Sequence, residues 1–268
     1  MICFINYQAI EDNDNNQEVP SEDEEKGNRE YDLIKILLYY IIIGFLGWIF
    51  FSFLFTSSWF EITKININGN HFLDKDTIIS QGGIKFSTNL FHFNIQEAGK
   101  KLLQNPWIEE VSIKKIFPNQ LDINIKERRP AALLFADDSY YLVTEEGKIL
   151  SIFKNFTNDF NLYIITGLDI GSKKVGEMID KVEYSEAQRV ISALENLFSG
   201  QFYKIQIISE EEFLLFHKNN RIKVRIESGD QLLNEWYLLE SAIQKVEQEQ
   251  IPIQEINMKY KERLLIIL

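Results

Sequence analysis

Residues 36–55 read ILLYYIIIGFLGWIFFSFLF, a run from Ile36 to Phe55 with no charged side chain and one aliphatic hydroxyl, Ser52. At about 1.5 Å of rise per residue, such a run spans roughly 30 Å as a helix, the thickness of a bilayer's hydrocarbon core. A helix also satisfies its backbone polar groups internally, as hydrocarbon demands. Tyr31, Tyr39 and Tyr40 lie toward one end and Trp59 and Phe60 beyond the other, where interfacial aromatics sit. A buried helix of a soluble protein rarely stays apolar on every side for this long. A cleaved leader does not fit either, because the run starts well into the chain and exits through TSSWFEI without a small-residue cleavage site. The reading predicts one membrane span over residues 33–56.

Working outward, the preceding segment is acidic. Residues 1–30 hold nine acids against Lys26 and Arg29, a net −7, so the remainder of the chain carries −5 of the total −12. With almost no apolar periodicity after Ile10, residues 1–32 read as a disordered, cytoplasmic tail that cannot bury enough surface to offset its ordering entropy. Lys26, Arg29 and Lys35 flank the span on that side and Lys64 is the nearest base on the other, so the bases place the N-terminus inside and the C-terminal part outside. The acidic balance argues against nucleic acid as a partner. The single cysteine, Cys3, excludes an intrachain disulfide framework, so the aqueous part depends on an apolar core, which 45% hydrophobic residues can supply.

Beyond the span, Phe60, Ile62, Ile65 and Ile67 approach the alternation of a strand, and Asn68-Gly69-Asn70 supplies a turn. Asp74 or Asp76 caps a short helix that Gly82-Gly83 stops, and Asn94 caps a second with Ile95, Ala98, Leu102 and Leu103 on one face, ended by Pro106. Trp107, Ile108, Val111, Ile113 and Ile116 belong to a strand, Phe117 to Gln120 make a turn, and Leu121, Ile123 and Ile125 alternate in another strand. The order is β-α-α-β-β. After Arg128-Arg129-Pro130 come short strand-like runs, AALLFA, SYYLVT, KILSIF and NLYIIT, then a helix near residues 183–198. FYKIQII, EFLLFHK and RIKVRIE read as strands, with a hairpin turn at 218–220. A helix over 231–248 places Leu232, Leu233, Trp236, Leu239, Ile243 and Val246 on one side, and EINMKY and RLLIIL close the chain as strands. The fold class is α+β: one transmembrane helix, then a β-α-α-β-β domain and a mixed β-sheet domain with two helices.

Catalytic patterns are missing. His71, His92 and His217 stand far apart, with no second His or Cys at metal-ligand spacing. No G-x-S-x-G, H-E-x-x-H or phosphate-binding glycine loop occurs, and Gly82-Gly83 reads as a helix stop. Asp137-Asp138 reads as a solvated turn rather than a glycosidase pair. No catalytic, metal or cofactor residues are assigned.

F-x-I-x-x-I-x-I-x-G-N from Phe60, N-L-F at 89–91, P-W-I at 106–108, V-S-I-K-K-I-F-P-N at 111–119 and E-R-R-P-A at 127–131 together resemble the bacterial FtsQ/DivIB cell-division family. YLVTEEGKIL and INMKYKERLLIIL resemble its later turn and closing strands. The resemblance implies a polypeptide-transport-associated (POTRA) domain over 60–128 and a β domain over 129–268. It implies a non-enzymatic divisome scaffold at the septum of the bacterial inner or plasma membrane, helping to regulate septal peptidoglycan synthesis. FtsB/FtsL-like partners would bind by β-strand addition to the last strands, and other divisome subunits would bind through the POTRA domain. The partner-binding residues it implies are Lys259, Tyr260, Glu262, Arg263 and Leu268. Three departures stand out: Asn257 where the family often has Asp, Glu210, Glu211 and Glu212 where some relatives carry a base, and an apolar end from Leu264 to Leu268, two of whose side chains should face the core. A POTRA-bearing transport or assembly subunit and a membrane-anchored cell-wall enzyme are the alternative readings.

Overall fold

The computed structural model describes residues 22–155, 160–179, 181–218, 222–250, 252–259 and 265–267. They fall into two units, one ending at Phe60 and the other running on from Glu61.

The first unit is helix α1, Glu22–Thr56. Its apolar window, Leu33–Thr56, has a mean hydropathy of 2.2 and buries nothing against protein. Tyr39, Phe45, Trp48 and Phe51 are each more than half exposed, on every side of the helix. Such a surface is stable only in an apolar surround. The helix starts earlier than the span expected at residue 33, since EDEEKGNREYDLIK carries four Glu and two Lys, good helix formers. A short 3-10 turn, Ser58–Phe60, follows, with the Phe60 ring 6.3 Å from that of Phe53.

The second unit opens with a three-stranded sheet in the order β1-β3-β2, built from β1 (Lys64–Asn68), β2 (Ile108–Ile116) and β3 (Gln120–Glu127). β1 runs parallel to β3, and β2 antiparallel to it. Helices α2 (Lys75–Gln81) and α3 (Ile95–Leu102) intervene, giving β-α-α-β-β. The Asp74 carboxylate accepts the Thr77 N–H at 2.6 Å, and Asn94 accepts those of Gln96 and Glu97 at 3.1 Å, so both helices start on side-chain caps. Ile62, Ile78, Leu90, Leu102, Leu121 and Ile123 form the core. Gly69 has φ +83°, and a Cβ there would stand 2.0 Å from the Ile125 carbonyl oxygen, so only glycine fits the turn. The helix α3 ends before Pro106, and Leu103, expected on its buried face, is half exposed. Leu103 is the C-cap residue, one position past the last helical residue.

A nine-stranded sheet follows, comprising β4 (Ala132–Ala136), β5 (Ser139–Val143), β6 (Ile149–Phe153), β7 (Tyr163–Thr166), β8 (Phe202–Ser209), β9 (Glu212–His217), β10 (Lys223–Ile226), β11 (Glu255–Asn257) and β12 (Leu265–Ile267). The strand order is β12-β11-β10-β9-β8-β7-β4-β5-β6. The parallel pairs are β4/β7, β7/β8 and β10/β11. A parallel pair needs a crossover, and α4 (Val182–Leu197) and α5 (Gly229–Glu249) supply two of them. Both helices cover one face of the sheet over a shared apolar core. Along α5 the buried side chains are Leu232, Leu239, Ile243 and Val246, whereas Leu233 and Trp236, expected in the same stripe, are exposed. At about 100° per residue, Leu233 lies a quarter-turn or more from Leu232, off the sheet-facing side.

On the opposite face, Leu133, Leu142 and Leu150 are covered by Trp107, Phe153, Leu162 and Ile164. Trp107 comes from the corner before β2, and its Nε1–H donates to Ser151 Oγ at 3.3 Å. The Trp107 carbonyl oxygen accepts the Arg128 N–H at 2.8 Å. Trp107, at the corner between α3 and β2, therefore also joins the two sheets.

Candidate partner-binding edge

The border of the nine-stranded sheet is built from its last two strands. β11 extends β10 in parallel, with Ile256 opposite Val224 and buried. β12 returns antiparallel, placing Leu265, Ile266 and Ile267 opposite Asn257, Ile256 and Glu255. Among the described residues nothing pairs with the outer border of β12. Such a border presents backbone N–H and C=O groups to any strand that arrives.

Alternation should turn one side of β12 inward. Instead Leu265, Ile266 and Ile267 are 48, 39 and 39% exposed. Leu264 and Leu268, the other two of the five terminal apolar residues of which two are expected to face the core, lie outside the described residues. Leu265 and Ile267 share the sheet face away from the helices, and Ile266 lies at the margin of the helix-covered face. The strand is three residues long and stands outermost, so helix cover gives out before it.

The floor behind this border is held by charge. Arg225 on β10 makes a two-pronged ion pair with Glu255 on β11, at 2.5 and 3.0 Å, and also pairs with Glu212 on β9. Hydrogen bonds that Arg225 donates to Glu255, then Glu212, push its guanidinium above its ordinary range, so it stays charged at any working pH. Of the three acids that departed from the family pattern, Glu212 is thus engaged inside the sheet, while Glu210 and Glu211 sit exposed in the β8–β9 turn. Asn257 accepts the Lys259 N–H through Oδ1 at 2.9 Å, an Asx-type turn that an aspartate would also make. The Met258 carbonyl accepts from the Gln231 side chain of α5, and its N–H donates to the Arg225 carbonyl at 2.9 Å. These bonds fix where the chain leaves β11.

Of the residues expected at the partner site, Lys259 is exposed just past β11. Tyr260, Glu262, Arg263 and Leu268 lie outside the described residues. The ion triad at Arg225 escaped sequence reading because its members come from three separate strands. So did the role of Glu127 in E-R-R-P-A. That buried carboxylate accepts the N–H groups of His71, Phe72 and Leu73 at 2.7–2.9 Å and ties the turn after β1 to the end of β3. A cleft of about 480 Å³ lies beside it, lined by both signs of charge, including Arg128, Arg129, Glu145 and Glu146.

Comparison with known proteins agrees with this architecture. Residues 60–128 match the family model described as POTRA domain, FtsQ-type. Cell division protein DivIB of Clostridium acetobutylicum is 31% identical over 121 residues, covering 45% of this chain and 48% of that protein. Cell division protein FtsQ of Syntrophotalea carbinolica is 26% identical over 157 residues, covering 59% and 54%. Cell division protein DivIB of Clostridium botulinum strain Hall is 27% identical over 179 residues, covering 65% and 68%. The chain therefore spans about half the length of the first two relatives. An FtsQ-type POTRA domain at residues 60–128, one apolar helix ahead of it and relatives named DivIB and FtsQ make the chain similar to the FtsQ/DivIB cell-division proteins.

Proposed function

We propose that the chain is a membrane-tethered, non-enzymatic scaffold in bacterial cell division. It recruits FtsB/FtsL-type partners to the septum and so helps regulate septal peptidoglycan synthesis. In this reading, residues 1–32 lie in the cytoplasm, the Leu33–Thr56 part of α1 crosses the membrane, and the POTRA domain (60–128) and β domain (129–268) stand outside. Lys259, Tyr260, Glu262, Arg263 and Leu268 contribute side-chain contacts, and the POTRA domain recruits further division subunits.

The observation that carries the proposal is the border of β12. It is outermost in its sheet and shows three apolar side chains to solvent. An added strand would gain main-chain hydrogen bonds along that border and apolar contact on both of its faces. Names of relatives supply the cell-division context. The test is co-purification of FtsB- and FtsL-type partners with the full chain from solubilised membranes. Wild type is expected to retain them, and the double variant Leu265→Asp, Ile267→Asp to lose them. Retention by the variant would contradict the site. Digestion of sealed cells tests orientation separately, and a protected C-terminal part would overturn it.

A further inference from the structure

The three-stranded sheet has one end that is apolar, basic and uncovered among the described residues. Phe117, in the β2–β3 turn, is 54% exposed, Ile116 beside it 40%, and Phe86, in the loop after α2, 57%. The Phe91 ring lies 5.1 Å from that of Phe117. Lys64, Lys85 and Lys114 are exposed around them. The acids at this end are Glu61 and Asp122, the latter hydrogen-bonded by Asn66 and Gln120.

Both apolar segments are bonded to the residues through which the chain enters the sheet. Thr63 and Lys64 N–H donate to the Asn119 carbonyl at 3.0 and 3.3 Å, Ile62 N–H to Thr88 at 2.9 Å, and Ser87 N–H to Ile62 at 3.2 Å. The apolar window of α1 ends at Thr56, so Thr63 follows seven residues later. Seven residues reach about 25 Å when fully extended. Trp59, 67% exposed within that tether, is an interfacial residue type that shortens the distance further. The tether therefore holds Thr63 within about 25 Å of the end of the apolar window, and the Phe86 and Ile116–Phe117 segments are bonded to that entry point. Large apolar side chains ringed by lysines are the composition of a surface that seats in the headgroup region of anionic lipid.

We infer that this end of the POTRA domain docks on the bilayer from which α1 emerges, with Phe86, Ile116 and Phe117 at the headgroup–acyl boundary and Lys64, Lys85 and Lys114 over anionic headgroups. The inference rests on reading α1 as the membrane span. Docking would fix the tilt of the domain and hold the β12 border at a set height for its partners.

The test uses the full chain carrying Cys3→Ser, reconstituted in phosphatidylcholine–phosphatidylglycerol vesicles. Single cysteines replacing Phe86, Phe117, Asp138 or Glu211 are labelled with an environment-sensitive fluorophore and exposed to spin-labelled lipid. Quenching at 86 and 117 is expected to exceed that at 138 and 211 by at least about twofold. A label at Lys85→Cys, which leaves all three apolar side chains in place, should follow 86 and 117. Equal quenching at all sites, in a chain that stays with the vesicles through an alkaline wash, overturns the docking and leaves the span intact. A chain that washes off overturns the span reading, and the docking with it.

Discussion

The two borders of the nine-stranded sheet are treated in opposite ways. At β6 the chain returns over the start of its own edge: Ile149 N–H donates to the Glu177 carbonyl at 3.0 Å, and the Ile149 carbonyl accepts the Gly176 N–H at 2.8 Å. Trp107 then closes the adjoining face over Leu133, Leu142 and Leu150. At β12 no described residue returns, and three apolar side chains remain in solvent. Open edges invite unwanted pairing, and proteins ordinarily blunt them. Among the described residues the chain meets one edge with its own backbone and leaves the other unpaired, over a floor braced by Arg225, and under the proposed function that second edge is the one a partner strand joins.

The largest expected effect falls on the closed side. Trp107→Ala removes the ring that covers the leucine trio and the hydrogen bond to Ser151, and should cost about 3 kcal/mol of stability. Urea unfolding of the full chain in detergent checks it; a cost within about 0.5 kcal/mol would mean the β6 half is not held shut by this residue.

Next comes the open side. Ile266→Pro deletes one N–H of β12 and should weaken partner binding by about tenfold or more, with an unchanged unfolding midpoint. Lys148→Glu, just before β6, should leave partner affinity alone. Equal losses from both variants, read by calorimetry, would break the contrast between the borders.

A smaller effect is expected from the floor. Arg225→Gln leaves Glu212 and Glu255 without their shared cation and should cost about 1 kcal/mol, screened by salt. It should also loosen β11 and β12 before the rest of the sheet. Hydrogen exchange that rises uniformly across the sheet would refute that local role.

The least effect is an acid-side loss of stability. Asp74 is held below the usual carboxylate range by the Thr77 N–H and hydroxyl, and Glu97 by its hydrogen bond to and attraction of Lys101. A folded pKa below the unfolded one stabilises above the ordinary carboxylate value, and that gain disappears as pH falls through the folded value. Stability should therefore decline below about pH 4, less steeply in Asp74→Asn than in wild type. Identical acid limbs in thermal unfolding would remove the cap from the account.

Much of this fold is local enough to read in one dimension. Leu121, Ile123 and Ile125 alternate because β3 has one buried face, and Asp74 and Asn94 cap helices whose bounds follow from them. The strands of the larger sheet are also visible as short apolar runs, but their order is not. Period-two patterning tells which side chains share a face and nothing about which strand lies next to which. Hence the ion triad of Glu212, Arg225 and Glu255 and the reach of Trp107 to Ser151 emerge only in three dimensions. The error at Leu233 and Trp236 has a different source. A helix laid on the margin of a sheet buries a narrow stripe, so neighbouring apolar residues can stay outside it. At β12, alternation failed because no element covers either side completely.

The most direct measurement is amide hydrogen exchange across residues 265–267 in the full chain, with and without a bound FtsB/FtsL-type partner. Slower exchange at the outward-facing amides among Leu265, Ile266 and Ile267 on partner addition, with β6 unchanged, is the result expected of strand addition. A partner that binds while those three amides exchange as in the free protein would contradict it.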